Sequence, residues 1–315
     1  MLILIITLVI TAISLLLILP LIIIANYIFN QQMVRTSKDK WKRGCSALDN
    51  EEQVKMYDLG LEWAKENEKN KIEVDIYNEK LHLFGEFFDF GAKKTAIILQ
   101  GRTESLWYSY YYAKPYQDLG YNILVVDSRA HGLSDGKYNC AGLKEYKDIL
   151  AWTKYIKEKF NQEKFILHGI CIGSATALYA ITNDTNNYYE GMVADGMYTT
   201  FYETFKRHML EDGHKIHPFI DVMMVIMRIR AHVDIKRKGP IKSLRNLTKP
   251  ILFLYSLEDK FSIPEKAKLL YEITPSKKEL VWFDKGAHSH IRINNEEKYD
   301  NSIKEFVNNQ FKESL

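Results

Sequence analysis

HGICIGSATA, residues 168–177, sets a cysteine between two glycines as Gly169-Ile170-Cys171-Ile172-Gly173. Upstream, KFILHG (164–169) is a short, β-branched apolar run of the kind that forms a buried strand. Downstream, IGSATALYAIT reads as a helix. A strand, a sharp turn and a helix expose the central side chain above a sheet, with the helix N-terminus aimed at it. The helix dipole there favours a thiolate and a developing oxyanion. Cys171 then reads as a nucleophile. Taken alone, the pentapeptide fits a small buried thiol equally well.

The rest of the chain repeats the alternation. TAIILQ (95–100), YNILVVD (121–127), GMVAD (191–195), PILFLYS (250–256) and KELVWF (278–283) suit buried parallel strands. KIEVDIY and LHLFGEFFDF suit antiparallel strands that turn near Asn78-Glu79. Between them lie helical patterns: Ile149, Trp152, Ile156 and Phe160 on one face, and Ala267, Leu270 and Tyr271 on another, with Ser262 and Pro264 as start signals. Tyr299, Ile303, Phe306 and Phe311 share one side of a last helix. A helix over Glu51–Glu68 would bury Val54, Tyr57, Leu61 and Ala64. The pattern predicts an α/β fold, a mostly parallel doubly wound sheet entered through an antiparallel pair. From about 198 to 248 the rhythm breaks into the helical stretches FYETFKRHML and PFIDVMMVIMRIRAHV, read as a lid inserted between two strands. Its Met223, Met224, Ile226 and Met227 could face an apolar substrate, the membrane, or the lid's own interior.

Two later segments carry chemistry. YSLEDKFSIP puts Glu258 and Asp259 after a predicted strand, and FDKGAHSHIR puts His288 after another. Nucleophile, acid and histidine follow one another along the chain. An imidazole can take the thiol proton, and a carboxylate can fix the tautomer and orientation of that imidazole.

That order is the one found in the α/β-hydrolase triad. Over residues 70–312 the chain resembles α/β-hydrolases, and more narrowly the lidded, serine-aminopeptidase-like hydrolases with one N-terminal membrane helix found in Gram-positive bacteria. GYNILVVDSRAHGLSDG is similar to the family's Asp-x-Arg-Gly-His-Gly-x-Ser stretch, with Ala130 where glycine is usual. GLKEYKDILAWTKYI resembles the helix after it, and VADGMYTTFYETF the entry to the lid. KGAHSHIRINNEEKY resembles the histidine loop, which implies His288 rather than His290. LQGRTES resembles the segment after the third strand, with Gln100 in place of a histidine. The resemblance implies a Cys171, His288 and Asp259 triad, with Glu258 as the alternative acid. It also implies an oxyanion hole from the backbone amides of Arg102 and Ile172, and bracing roles for Asp127, Arg129 and His131. In LWYSYYYAKPY, Trp107 and Tyr108 either line the acyl pocket or pack a helix on the sheet. The family's central residue is usually serine. Cysteine occurs at this elbow in relatives that include dienelactone hydrolases and bile-acid acyltransferase-like enzymes. The expected activity is cleavage of an ester, thioester or amide through a covalent acyl-enzyme. Acyl transfer by the same triad and an inactive binding module are the alternatives. No cofactor and no metal are implied, and the expected partner is a small, apolar acyl substrate.

Composition narrows the remaining classes. A net charge of +3 over 315 residues, with no basic run interleaved with aromatics, argues against nucleic acid as a partner. Cys45, Cys140 and Cys171 are too few and too widely spaced for a disulfide framework or a zinc site. Free thiols suit a reducing compartment. Met1 to Val34 carries no charged side chain, and Leu2 to Ala25 is almost wholly apolar. This predicts a single membrane-spanning anchor over 1–30, with Pro20 as a site for a kink. A basic n-region, a short apolar core and a small-x-small cleavage site, the marks of a cleaved signal peptide, are not evident. Arg35, Lys38, Lys40, Lys42 and Arg43 follow the span and place the C-terminal domain in the cytoplasm. Residues 31–70 read as a polar juxtamembrane linker and a helix, and 71–315 as the hydrolase domain.

Overall fold

The structure, a computed structural model, describes residues 1–211, 213 and 217–311, with the backbone alone for 9–15. The expected lid and the C-terminal end of the expected domain include residues 212, 214–216 and 312–315, which lie outside the described residues.

Strands β1 (Lys71–Asn78), β2 (Leu81–Phe88), β3 (Lys94–Leu99), β4 (Asn122–Val126), β5 (Lys164–Ile170), β6 (Tyr189–Asp195), β7 (Ile251–Ser256) and β8 (Lys278–Phe283) form one sheet of order β1-β2-β4-β3-β5-β6-β7-β8. β2 runs antiparallel to β1 and β4, and every other pairing is parallel. β4 and β7 are buried along their whole length, as strands covered on both faces must be. The β1–β2 turn falls on Glu79 (φ 46°) and Lys80 (φ 69°), one residue later than expected. Two positive φ angles in a two-residue loop match the right-handed twist of the strands they join.

The helices are α1 (Leu2–Met33), α2 (Glu51–Glu66), α3 (Leu106–Ser109), α4 (Lys114–Asp118), α5 (Glu145–Lys159), α6 (Ile172–Thr182), α7 (Phe201–Glu211), α8 (Phe219–Arg230), α9 (Pro240–Ser243), α10 (Pro264–Ile273), α11 (Ile291–Asn294) and α12 (Glu296–Gln310). Alternation along the strands splits the core into two layers. Ala96, Ile98, Ile123 and Val125 face α2 and α12, meeting Met56, Tyr57, Tyr299, Ile303 and Phe306. Ile97, Leu99 and Leu124 face α5, α6 and α10, meeting Ile149, Trp152, Ile156, Leu178 and Leu270. The face of α2 is rotated from the expected one. Met56, Tyr57, Gly60, Trp63 and Ala64 are its apolar contacts, and Leu61 is exposed. Gly60 turns this face inward, because a Cβ there would stand 2.9 Å from the Tyr111 amide nitrogen.

The N-terminal region differs most from expectation. α1 continues through Pro20 and ends at Met33. Its final turns are not free. Ala25 is buried, and Phe29 and Met33 pack into a cluster with Ile220, Met223, Met224 and Met227 of α8. Those methionines therefore fill the contact with α1. The Arg230 Nη1 donates to Asn26 Oδ1 (2.7 Å) and Asn30 Oδ1 (3.0 Å) on α1. Lys40 Nζ donates to the carbonyls of Asn30 (2.8 Å), Gln31 (2.6 Å) and Val34 (2.6 Å), placing a cation at the negative end of the helix dipole.

Residues 34–50 are not a solvated linker. Val34 bridges Tyr138, Arg35 donates to the carbonyls of Gly132 (2.7 Å) and Ser134 (2.9 Å), and Trp41 stacks on His131 at 4.6 Å. Arg43 donates through Nε to Asp127 Oδ2 (2.9 Å) and through Nη1 to Glu86 Oε1 (3.1 Å). Asp127 is buried and also accepts from the amides of Leu106 and Leu133, each at 3.0 Å. A dry carboxylate needs a cation, and this segment supplies it. Asp127→Asn, which leaves Arg43 paired with Glu86 alone, is expected to cost about 1.5–3 kcal/mol of stability in urea unfolding.

Candidate active site

β5 ends at Ile170, α6 begins at Ile172, and Cys171 between them has φ 54° and ψ −112°. A non-glycine residue rests there only when its surroundings hold it, at a cost on the order of 1–3 kcal/mol. The Cys171 amide donates to the carbonyl of Asp195 (2.9 Å), the neighbouring strand's last residue. Ser174 Oγ lies within bonding distance of the carbonyls of Gly169 (2.5 Å) and Asp195 (2.9 Å). The glycines serve close packing. A Cβ on Gly169 would stand 2.3 Å from the Gly173 carbonyl carbon, and one on Gly173 would stand 2.1 Å from the Leu99 oxygen. The left-handed turn itself is carried by the cysteine.

The loops after β7 and β8 bring Asp259 and His288 together. His288 Nδ1 lies 2.7 Å from Asp259 Oδ2. Asp259 Oδ1 accepts from the amides of Phe261 and Ser262, each at 2.8 Å. Glu258 turns elsewhere and accepts from the Gly286 amide at 2.9 Å, bracing the histidine loop. His288 and Cys171 line the same cavity. Burial alone would lower the imidazole, but the Asp259 charge and the Cys171 sulfur outweigh it and hold His288 well above its ordinary 6.5. Burial opposes ionisation of Asp259 too, and the His288 charge with the two amide donors brings it below its ordinary 3.8. Gly196 (φ +60°) passes under the ring, where a Cβ would stand 3.1 Å from His288 Cε1. His290 lines the same cavity, with Nδ1 2.9 Å from the His288 carbonyl.

The loop after β3 runs beside the elbow, as the contact between Gly173 and Leu99 requires. It is pinned by the residues expected to brace it. The Arg102 carbonyl lies 2.7 Å from His131 Nε2 and accepts from Asn139 Nδ2 at 3.1 Å. His131 Nδ1 lies 2.9 Å from the Arg129 carbonyl, and Arg129 makes a two-pronged pair with Asp148 at 2.7 Å. Ala130 adopts φ 66°, a conformation in which glycine is the unstrained choice. The Arg102 guanidinium donates to the Gln32 carbonyl in the last turn of α1 (3.1 Å). Ile172 opens α6, so its amide is among those without an intrahelical acceptor, and its side chain is buried.

A cavity of about 280 Å³ opens over Cys171 and His288. Tyr198, Phe201, Phe205 and Phe261 form its apolar wall, the first three from the segment inserted between β6 and β7. Tyr108 lines it and donates its hydroxyl to the Ser289 carbonyl at 2.9 Å. Trp107, expected beside it, does not line the cavity and packs against the core layer of α2 and α12. Successive residues of a helix point about 100° apart, so only one of the two can face the site.

The opposite wall lay outside the expectations. Ser46, Asn50 and Gln53 come from the N-terminal segment and α2, and Glu104 from the loop after β3. The buried Glu104 carboxylate accepts from Ser46 Oγ, Gln53 Nε2 (3.1 Å), Tyr57 OH (2.5 Å) and Thr103 Oγ1 (3.3 Å). Burial raises its pKa against these donors. Asp195 was also missed. Burial pushes its carboxyl up to about 7, and Tyr299 OH donates to it at 2.7 Å. The apolar spacing of α2 predicts that it packs, but not that it packs beside the loop after β3 and the cavity over Cys171.

Residues 95–210 match the family described as the alpha/beta hydrolase fold. The chain is 28% identical over 221 residues to the uncharacterized protein YqkD of Bacillus subtilis, covering 68% of this chain and 71% of that one. It is 24% identical over 193 residues to an uncharacterized membrane protein of Saccharomyces cerevisiae, covering 61% of this chain and 62% of that one. Among solved structures, the Pyrococcus furiosus esterase Pf2001 superposes with a TM-score of 0.67 at 23% identity, covering 79% of this chain and 94% of the esterase. A mostly parallel sheet entered through an antiparallel pair and shared over nearly the whole length of that esterase is the α/β-hydrolase fold, and this chain has it.

Proposed function

We propose that this chain is a membrane-anchored hydrolase that cleaves an ester, thioester or amide through Cys171, His288 and Asp259. The observation that carries the reading is the 2.7 Å pairing of Asp259 with His288, which lines one cavity with the cysteine of a strained elbow. In the first step the sulfur of Cys171 bonds to the acyl carbon, and His288 holds the former thiol proton. The amides of Arg102 and Ile172 receive the oxyanion, where one such donor is worth about 2.7–4 kcal/mol. The carbonyl reforms, the bond to the leaving group breaks, and His288 passes its proton to that alcohol, thiol or amine. Water then attacks the thioester, gives a proton to His288, and frees the acid and the thiol. Asp259 orients the ring throughout.

The cavity of about 280 Å³ and its aromatic wall favour a short, apolar acyl group. Anchoring is supported by α1. The window Leu16–Met33 has mean hydropathy 1.5 and is only 17% buried, unlike the core helix of a soluble domain. Its 32 residues exceed the ~30 Å hydrocarbon core at about 1.5 Å per residue. The yeast relative is named a membrane protein. The helical insertion over α7 and α8 would serve as the lid. The basic residues after α1 support a cytoplasmic position for the domain.

Full-length protein in detergent is expected to hydrolyse p-nitrophenyl acetate or butyrate. Cys171→Ala and His288→Ala should each lower turnover by about 10²–10⁴-fold. Turnover unchanged in both variants would refute the triad. The pH profile gives a separate check. In a thiolate–imidazolium pair the rate falls on the alkaline side as His288 loses its proton. Because His288 is held well above 6.5, that limb should lie well above pH 6.5. Asp259→Asn removes the largest charge that holds the proton, so kcat/KM should fall and its alkaline limb should move to lower pH.

A further inference from the structure

We propose a second binding site, for a phosphate-type anion, in the cavity between the start of α5 and the segment that follows α8. This cavity of about 530 Å³ is separate from the one over Cys171. Lys144, Lys147, Arg228, His232 and Lys238 line it, and Asp234 is its only carboxylate among the described residues. Lys147 is paired with Glu79 at 2.7 Å, and Asp234 accepts from the Arg237 amide at 3.1 Å. Lys144, Arg228 and Lys238 have no carboxylate ion-pair partner among the described residues. Three unpaired cations around one concavity repel one another. A bound dianion would reverse that cost, and a guanidinium flanked by ammonium groups suits the oxygens of a phosphate.

The site's place in the fold favours a lipid source over a soluble one. Arg228 shares the last turn of α8 with Arg230, which bonds Asn26 and Asn30 of α1. Asn26 is the first strongly polar residue after the apolar run of α1. On the membrane reading proposed above, that level is the phospholipid headgroup region. The anion site itself does not depend on that reading.

The test uses full-length protein and the variant Lys144→Gln/Arg228→Gln/Lys238→Gln, whose side chains lie outside the reactive centre. Thermal unfolding in neutral detergent is followed while sodium phosphate replaces sodium chloride at constant ionic strength. A parallel series uses nanodiscs of phosphatidylcholine with and without phosphatidic acid. The wild type should be stabilised by phosphate, and the variant should need about tenfold more for the same shift. Stabilisation by phosphatidic acid that the variant lacks assigns the site to a headgroup, whereas stabilisation by inorganic phosphate alone assigns it to a soluble phosphate. No shift in either series, or equal shifts in wild type and variant, overturns the site. Labelling of Cys171 by iodoacetamide at the wild-type rate shows that the variant is folded, and Arg228→Gln alone replaces it if it is not. A membrane reading that fails leaves the soluble series intact, so the two failures are distinguishable.

Discussion

The backbone of Cys171 is the constraint on which the arrangement of Cys171, His288 and Asp259 depends. At φ 54° an L-residue is strained, and the turn survives because its neighbours leave the chain no alternative. Gly169 and Gly173 are packed so closely that no side chain fits at either position. The cysteine amide is bound to the carbonyl of Asp195, and Ser174 lies against that same carbonyl. The next residue, Gly196, runs beneath His288. Two adjacent strands, β5 and β6, therefore set the height of both the sulfur and the imidazole. Asp259 then fixes the rotation of the ring.

The N-terminal region is the second support. It lies outside the segment that matches the family, yet it holds the loop after β3 at several points. Arg43 neutralises the Asp127 carboxylate that also binds the Leu106 amide. Ser46, Gln53 and Tyr57 surround Glu104, and the last turn of α1 receives the Arg102 guanidinium. An apolar helix at the N-terminus is thus mechanically continuous with the amides that would face an oxyanion. The same helix organises α8 through Phe29, Met33 and the Asn26 and Asn30 side chains that accept from Arg230.

How much of this was legible differs from element to element. Five of the six parallel strands could be read from composition, because a strand covered on both faces must be apolar throughout, whereas β8, expected to be buried, is a half-buried strand at the sheet edge. The elbow could be read from its glycines, and the order of cysteine, acid and histidine from strand ends. Asp259 and Glu258 are adjacent, and only the fold shows which of them reaches His288. Leu61 was misplaced because Val54, Tyr57, Leu61 and Ala64 satisfy a helical period as well as the buried set does. Trp107 and Tyr108 are chemically similar neighbours whose separation depends on the axis of a four-residue helix. The basic residues after α1 read as a membrane-flanking cluster, and nothing local shows that Arg35, Lys40 and Arg43 have partners inside the domain.

The sequence by itself determined the local states: which segments are strands, where the chain turns sharply, and which residue types could carry acyl chemistry. Those follow from side-chain periodicity and glycine content, which act over a few residues. Tertiary structure alone decided the partners. It brought Asp259 to His288, put Glu104 and α2 in the cavity wall, gave the methionines of α8 to α1, and gathered Lys144, Arg228 and Lys238 around one hollow. Periodicity records that a side chain leaves water. It carries no record of what that side chain meets, because contacts between distant segments depend on the packing of the whole sheet.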